Sequence, residues 1–377
     1  MGHYDLIVIG AGIVGAACAE AASAAGLRVA IVEPGPIGGG ATGAGMGHLV
    51  AMDDHPAELA LASYSKNLWE RYAELPEAEF NRCGTLWVAR EERELACIPD
   101  RIVRLAASGV QAEALDASDL RRAEPALSPA LAGGMLVSAD AAVYPPRVTR
   151  YLVQCAVARG AALMLGRRAR RLDDHGVTLD DGSRLQGSVL VAAGCATAEL
   201  LPQLPLRPRK GQLVITDRYA GTLRHQVVEL GYADSVNDQT GTSVAFNAQP
   251  RLTGQILIGS SREFAAEDAR ISRPILKRML DRAFEFMPPL RELRALRAWT
   301  GFRPASVDGL PYLGALDGAG RRWVAAGHEG LGITTALGSA RLLLDLFLGR
   351  TPALDPAPYS PLRVLKAPLE CQGCAHP

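Results

Sequence analysis

The sequence predicts an α/β fold that opens on a Rossmann-like unit and carries a β-rich part farther along the chain. Three observations predict it. The first 33 residues read as strand, glycine turn, helix and strand; extended segments recur at 177–185, 211–217 and 255–261; and an apolar helix follows a glycine cluster near residue 330. With 377 residues, 48% of them hydrophobic and 21% charged, the chain can bury one large core or two that share an interface.

The opening stretch HYDLIVIGAGIVGAACAEAASAAGLRVAIVE justifies the first unit. Asp5 to Ile9 is a short apolar run rich in β-branched residues, and the glycine cluster after it opens an alanine-rich segment of helical length. Gly26 closes that helix, and a second apolar run from Arg28 to Val32 stops at Glu33. Gly10, Gly12 and Gly15 fit G-x-G-x-x-G: the first permits a tight turn, the second lets a pyrophosphate approach the backbone, and the third lets helix and strand pack closely. Ile13 and Val14 lie inside this fingerprint, at a helix N-terminus whose free N–H groups and positive dipole end suit phosphates. An unliganded structural turn can share the pattern. Glu33 suits the free ribose of NAD or FAD and disfavours a 2′-phosphate, which leaves those two cofactors open. The next loop, PGPIGGGATGAGMGHLV, begins at Pro34 and holds seven glycines; it can lie against a large flat ligand or serve as a flexible surface connection.

The remaining elements follow in order. Periodicity predicts a helix over 56–75, a strand in NRCGTLWVAR and a helical segment at 117–124. Another helix begins after Pro145 and Pro146, and Asp-Gly between extended runs makes 177–185 a hairpin. SVLVAAGCAT is an apolar strand ending in glycine, and 211–217 and 255–261 are strands of a second sheet with the helix 274–286 on its outside.

Composition excludes other classes. Forty Lys and Arg balance forty Asp and Glu, so no basic field attracts nucleic acid. No run of 18 uncharged apolar residues occurs, so neither a membrane span nor a signal peptide is expected. Seven scattered cysteines make no disulfide framework and point to a reducing cytoplasm. Cys371 and Cys374 form C-Q-G-C with His376 nearby, but a structural zinc needs a fourth ligand, and no metal site is expected. Neither a Ser-His-Asp arrangement nor an HExxH pattern is present.

Together with the fingerprint, GGGATGAGM, LRPRKGQLVITD, GFRPASVDGLPYLG and VAAGHEGLGITTALGSARLLLDLFLG resemble, in the same order, the FAD-dependent D-amino-acid oxidase superfamily in its glycine oxidase and sarcosine oxidase branch. The resemblance spans nearly the whole chain. It implies a Rossmann-like FAD-binding domain of residues 1–85, 144–210 and 301–377, interleaved with a β-rich antiparallel-sheet substrate domain of 86–143 and 211–300. It implies FAD contacts at Gly10, Gly12, Ile13, Val14, Gly15, Glu33 and Pro34, and along the loop at Ala41, Thr42, Ala44, Gly45 and Met46. Further contacts are expected at Ala169, Gly194, His328, Glu329, Gly330, Leu331, Gly332, Ile333 and Thr334, where the terminal helix faces the pyrimidine end of the flavin. The terminal FAD motif has no cysteine placed to attach the flavin, so noncovalent FAD is expected.

The chemistry this resemblance implies is hydride removal from the carbon next to an amine, giving an imine and reduced FAD. Arg303 occupies the place of the family's carboxylate-binding arginine in a motif resembling L-R-P-x-x-x-D-G-x-P-x-x-G, with Phe302 where that motif has Leu. The alternative for Arg303 is packing on Tyr312, while Asp308 is expected to shape the turn. His328, beside Gly330, is an acid–base candidate or a support for its loop; His48 touches substrate or flavin or is a satisfied histidine below them. GATGAGMGHLVAMDD, SYSKNLWERY and GHEGLGITTALGSARL look most like the FAD subunits of D-hydroxyproline dehydrogenase, with opine oxidase and hydrogen cyanide synthase subunits close. That likeness implies a small amino-acid substrate, cis-4-hydroxy-D-proline first. It also implies companion flavin and [2Fe-2S] subunits, and association with the inner membrane through electron transfer. The alternatives are a self-sufficient oxidase that makes hydrogen peroxide and a relay subunit whose FAD meets no organic substrate.

Overall fold

In the computed structural model, which describes residues 2–52, 55–231, 241–264 and 268–365, strand β1 (Gly2–Ile9) lies at the centre of a mainly parallel sheet. Leu6, Ile7, Val8 and Ile9 are all buried, because helices and neighbouring chain cover both faces; hence the run is continuously apolar instead of alternating. On one side β1 pairs in parallel with β2 (Val29–Glu33), which pairs with β8 (Ala162–Leu165). On the other it pairs with β11 (Arg184–Val191), then β18 (Arg322–Ala326), and β17 (Tyr312–Ala315) closes that edge antiparallel. The hairpin β9 (Ala169–Asp173) and β10 (Gly176–Leu179) extends the start of β11, and the expected Asp-Gly turn joins β10 to β11. Ile9 stands level with Val32 and Val191, and Val191 with Val324, so four parallel strands end along one rim.

The helix Ile13–Ala24 packs against the helices Pro145–Ala158 and Gly332–Phe347. Gly15 makes its close approach possible: a Cβ there would lie 2.0 Å from the Gly10 carbonyl oxygen. The stretch Glu329–Phe347, with mean hydropathy 1.2, is long and apolar enough to cross a membrane, but 67% of it is buried inside the fold, against Ile13–Ala24 and Pro56–Trp69. Its apolarity is that of a core helix.

A second sheet has the order β16 (Ala295–Ala305), β12 (Arg207–Thr216), β15 (Ile256–Glu263), β14 (Thr242–Pro250), β13 (Gln226–Glu229), β4 (Thr85–Ala89), β6 (Gly133–Val137) and β5 (Glu113–Asp116). All neighbours are antiparallel except β13 and β4. The helix Arg273–Phe286 covers β14 and β15, where Phe286 stacks on Phe246 with ring centroids 5.0 Å apart. Since strand neighbours point to opposite faces, Asn247 faces away from that helix. A short ribbon, β3 (His48–Leu49) with β7 (Ala141–Ala142), fastens the end of the glycine-rich loop.

Several expectations are adjusted. The helix expected over 56–75 ends at Trp69 and continues as a 3₁₀ turn, Glu70–Tyr72. The segment at 117–124 is the helix Ala117–Ala123, capped by Asp116, whose carboxylate accepts from the Ser118 and Asp119 amides at 2.7 and 2.8 Å. Strands β13, β14 and β16 and the helix Ile98–Ala107 had no sequence forecast. β12 and β16 run across the divisions expected at 210/211 and 300/301, so Arg303 stands on an edge strand of the second sheet. Cys371, Cys374 and His376 lie outside the described residues, and among those described no three His, Cys, Asp or Glu side chains gather to hold a metal.

Candidate active site

The rim where β1, β2, β11 and β18 end opens into a cleft of about 1730 Å³, its mouth included, that runs on to β12, β14, β15 and β16. This is the place where open parallel sheets hold ligands.

At the Rossmann end, Gly10 has φ +106° and a Cβ there would strike the Ala192 carbonyl at 2.5 Å. Gly12 leaves the backbone bare, and the Thr42 hydroxyl accepts from the Ile13 amide at 3.0 Å, folding the second glycine loop onto the first. Glu33 fastens the turn: its two oxygens accept from the Ala11 and Gly35 amides, each at 2.7 Å. Each carboxylate oxygen has a second acceptor site, so the clamp and a ribose hydroxyl can be served together. The first-turn amide of Val14 has no helical acceptor, and with the bare turn before it this leaves a cradle for phosphate. Pro34 and Ala169 border this end, with Arg168, Glu199 and Leu200, which the sequence did not mark. The bare glycines, the amides and the acid together fit a dinucleotide.

The middle is lined by Ala41, Thr42, Ala44, Gly45, Met46 and Gly194, and across from them by His328, Glu329, Gly330, Gly332 and Ile333. Three residues expected as cofactor contacts do not line it. Gly15 lies beneath the turn; Leu331 packs with Val50, Ala51 and Met52; and the Thr334 hydroxyl donates to the His48 carbonyl at 2.8 Å while its own carbonyl accepts from Trp69 Nε1. Each shapes the wall from behind. Glu329 has φ +47°, and it accepts from the buried Arg209 at 3.3 Å.

Both candidate histidines face the cleft as neutral rings. His328 is 5% exposed and shares a 3.0 Å hydrogen bond with the Ser339 hydroxyl; burial pushes its pKa down to about 4. His48 lies 3.4 Å from Met46 Sδ, and burial, opposed by a hydrogen bond with Gln226, likewise brings it to about 4.

Arg303 defines the far end. It is half-buried, and its guanidinium crosses Gly211, where a Cβ would lie 2.5 and 2.8 Å from the two terminal nitrogens. Nη1 donates to the Ser261 carbonyl at 3.2 Å, and no carboxylate among the described residues pairs with it. The arginine stacked on Tyr312 is a different one, Arg363, at 4.5 Å; it also binds Asp308 at 2.7 and 2.9 Å. Asp308 accepts from the Leu310 amide, as a turn former does, and although desolvation raises its pKa, these partners hold it below the usual carboxylate range. Leu213, Asn247, Ser260 and Phe302 complete this end. Of these, Asn247 carried one legible signal, a lone amide within the apolar stretch VAFNA.

The DAO family, FAD dependent oxidoreductases, matches the chain over residues 5–346. The chain is 31% identical over 376 residues to a glycine oxidase of Pseudomonas aeruginosa, covering 94% of this chain and 98% of that protein. It is 30% identical over 421 residues to the hydrogen cyanide synthase subunit HcnC of the same species, with 97% of each covered. The crystal structure of glycine oxidase from Geobacillus kaustophilus superimposes with a TM-score of 0.85 at 26% identity, over 96% of this chain and 98% of that one. L-proline dehydrogenase from P. horikoshii gives 0.88 at 22% identity, over 97% and 98% of the two chains, a likeness of fold. The chain therefore belongs to the DAO family of FAD-dependent oxidoreductases and is an enzyme that acts on amino acids.

Proposed function

We propose that this chain oxidises a small amino acid, cis-4-hydroxy-D-proline first among the candidates, as the catalytic subunit of a multi-subunit dehydrogenase. The observation that carries the reading is Arg303: a guanidinium at the cleft, given room by Gly211 and with no carboxylate of its own among the described residues. Its free donors match a carboxylate through two parallel bonds, which would fix the α-carbon within the cleft. Bound FAD supplies the hydride acceptor. From the neutral amine, loss of hydride from the α-carbon to the flavin would let the nitrogen lone pair form the C=N bond of an iminium cation, which would release its N–H proton to water to give the imine.

The chain's own residues orient and exclude. Met46, Leu213 and Phe302 keep water from the reacting carbon. The helix Gly332–Phe347 presents its positive end to the cleft, suited to charge developing on the ligand there. Neither neutral histidine is poised as a strong acid, so His48 and His328 are assigned to holding the wall. No cysteine lines the cleft among the described residues, which supports noncovalent FAD.

Likeness to HcnC favours a subunit that passes electrons to companion flavin and [2Fe-2S] proteins; likeness to glycine oxidase favours direct use of oxygen. Anaerobic mixing with candidate amino acids, followed by air, separates them. Flavin bleaching by D-amino acids with slow reoxidation is expected. Absence of bleaching with every amine removes the catalytic reading, and rapid reoxidation transfers it to an oxidase.

A further inference from the structure

Asn247 is a polar residue of the cleft whose hydrogen bonding is incomplete. It is 4% exposed and stands on β14 opposite Gly259 of β15. Its Nδ2 donates to the Ser260 hydroxyl at 3.4 Å, while Oδ1 has no partner among the described residues. Gly259 keeps that oxygen clear, since a Cβ there would sit 2.5 Å from Oδ1 and 2.7 Å from Leu213. A buried acceptor left unmade is unfavourable until a donor reaches it.

The wall is thus polarised. Arg303 offers donors only, Asn247 offers an acceptor, and Met46 and Leu213 between β3, β12 and β15 are apolar. The complementary ligand has a carboxylate and, apart from it, a hydrogen-bond donor. We propose that Asn247 is a specificity-determining residue whose Oδ1 accepts from a substrate N–H or O–H outside the carboxylate. This rests on the reading that Arg303 takes the carboxylate.

The test uses the FAD-loaded full chain and two probes, acetate and glycolate, which share a carboxylate and differ by one hydroxyl. Dissociation constants come from the perturbed flavin spectrum. The parent is expected to prefer glycolate by about tenfold, the size of one neutral hydrogen bond. Asn247→Leu is expected to abolish that preference and leave acetate within about twofold. Gly259→Ala, which retains Asn247 but crowds Oδ1, is expected to reduce the same ratio, and it serves if the leucine variant does not fold. An unchanged ratio excludes a donor on the α-carbon, and together with no slowing of either proline in flavin reduction it overturns the proposal.

Anaerobic flavin reduction then separates the two sources of the donor. Slowing of D-proline and cis-4-hydroxy-D-proline alike by Asn247→Leu identifies the amine; slowing of the hydroxylated substrate alone identifies the hydroxyl; slowing of neither overturns the assignment. Arg303→Leu is the control for the underlying reading. If it leaves acetate binding intact, the carboxylate clamp fails, while the glycolate-to-acetate ratio still judges Asn247.

Discussion

Arg303 and its glycine neighbour make a matched pair, one supplying charge and the other the space for it. Removing two charge-assisted bonds from a partly buried site costs about 3–4 kcal/mol. Arg303→Leu is therefore expected to lower kcat/KM for the reducing amino acid by a factor of about 100 to 1000, with the flavin content of the purified protein unchanged. Flavin reduction as fast as in the parent would remove the clamp. At the same scale, His328 links folding to pH. Its pKa falls from 6.5 to about 4 on folding, so the unfolded chain binds the proton more readily. The stabilising contribution is complete above pH 6.5 and is lost as pH falls toward 4, amounting to on the order of 3 kcal/mol. Urea unfolding across that window should show His328→Gln losing part of the slope; an identical slope would exclude the linkage.

The first βαβ unit was legible because its information is local. Gly10, Gly12, Gly15 and Glu33 all fall within the first 33 residues of the chain, and every one has a steric or hydrogen-bonding role that the residue type announces. Gly15→Ala tests that locality. With 2.0 Å between its Cβ and a carbonyl oxygen, the helix must shift, and the variant is expected to lose most of its FAD and about 2–3 kcal/mol of stability. Flavin-to-protein absorbance ratio and melting temperature measure the two effects. Strands β13 and β14 were not legible, for the opposite reason. Gln226, Asn247 and Gln249 are buried amides satisfied or awaited by partners far away in sequence, so their polarity mimics a loop. The same applies to Thr334 and Leu331, whose neighbours to the cleft are readable but whose own contacts run backward into the core.

At the scale of the molecule, the two sheets share the cleft and the chain passes between them repeatedly. β16 belongs to the second sheet, yet it ends in the turn that leads into β17 of the first, with an antiparallel bridge from Ala305 to His328. One cooperative thermal transition is therefore expected, and FAD should raise its midpoint. At free FAD of 100 times its dissociation constant the gain is about 2.7 kcal/mol. Two separable transitions in calorimetry, only one of them responsive to FAD, would show the units to be independent.

The contact between Arg363 and the Asp308 turn has a practical consequence. Arg363 binds Asp308, the Leu310 and Pro311 carbonyls and the face of Tyr312, so it closes the turn that follows Arg303 from a point 60 residues later in the chain. A protease cut or shortened expression clone ending before Ser360 would retain every lining residue of the cleft while leaving this loop unlatched. For anyone engineering the protein, that sets the trimming limit: a chain shortened from its C-terminal end keeps the latch only while it retains Arg363.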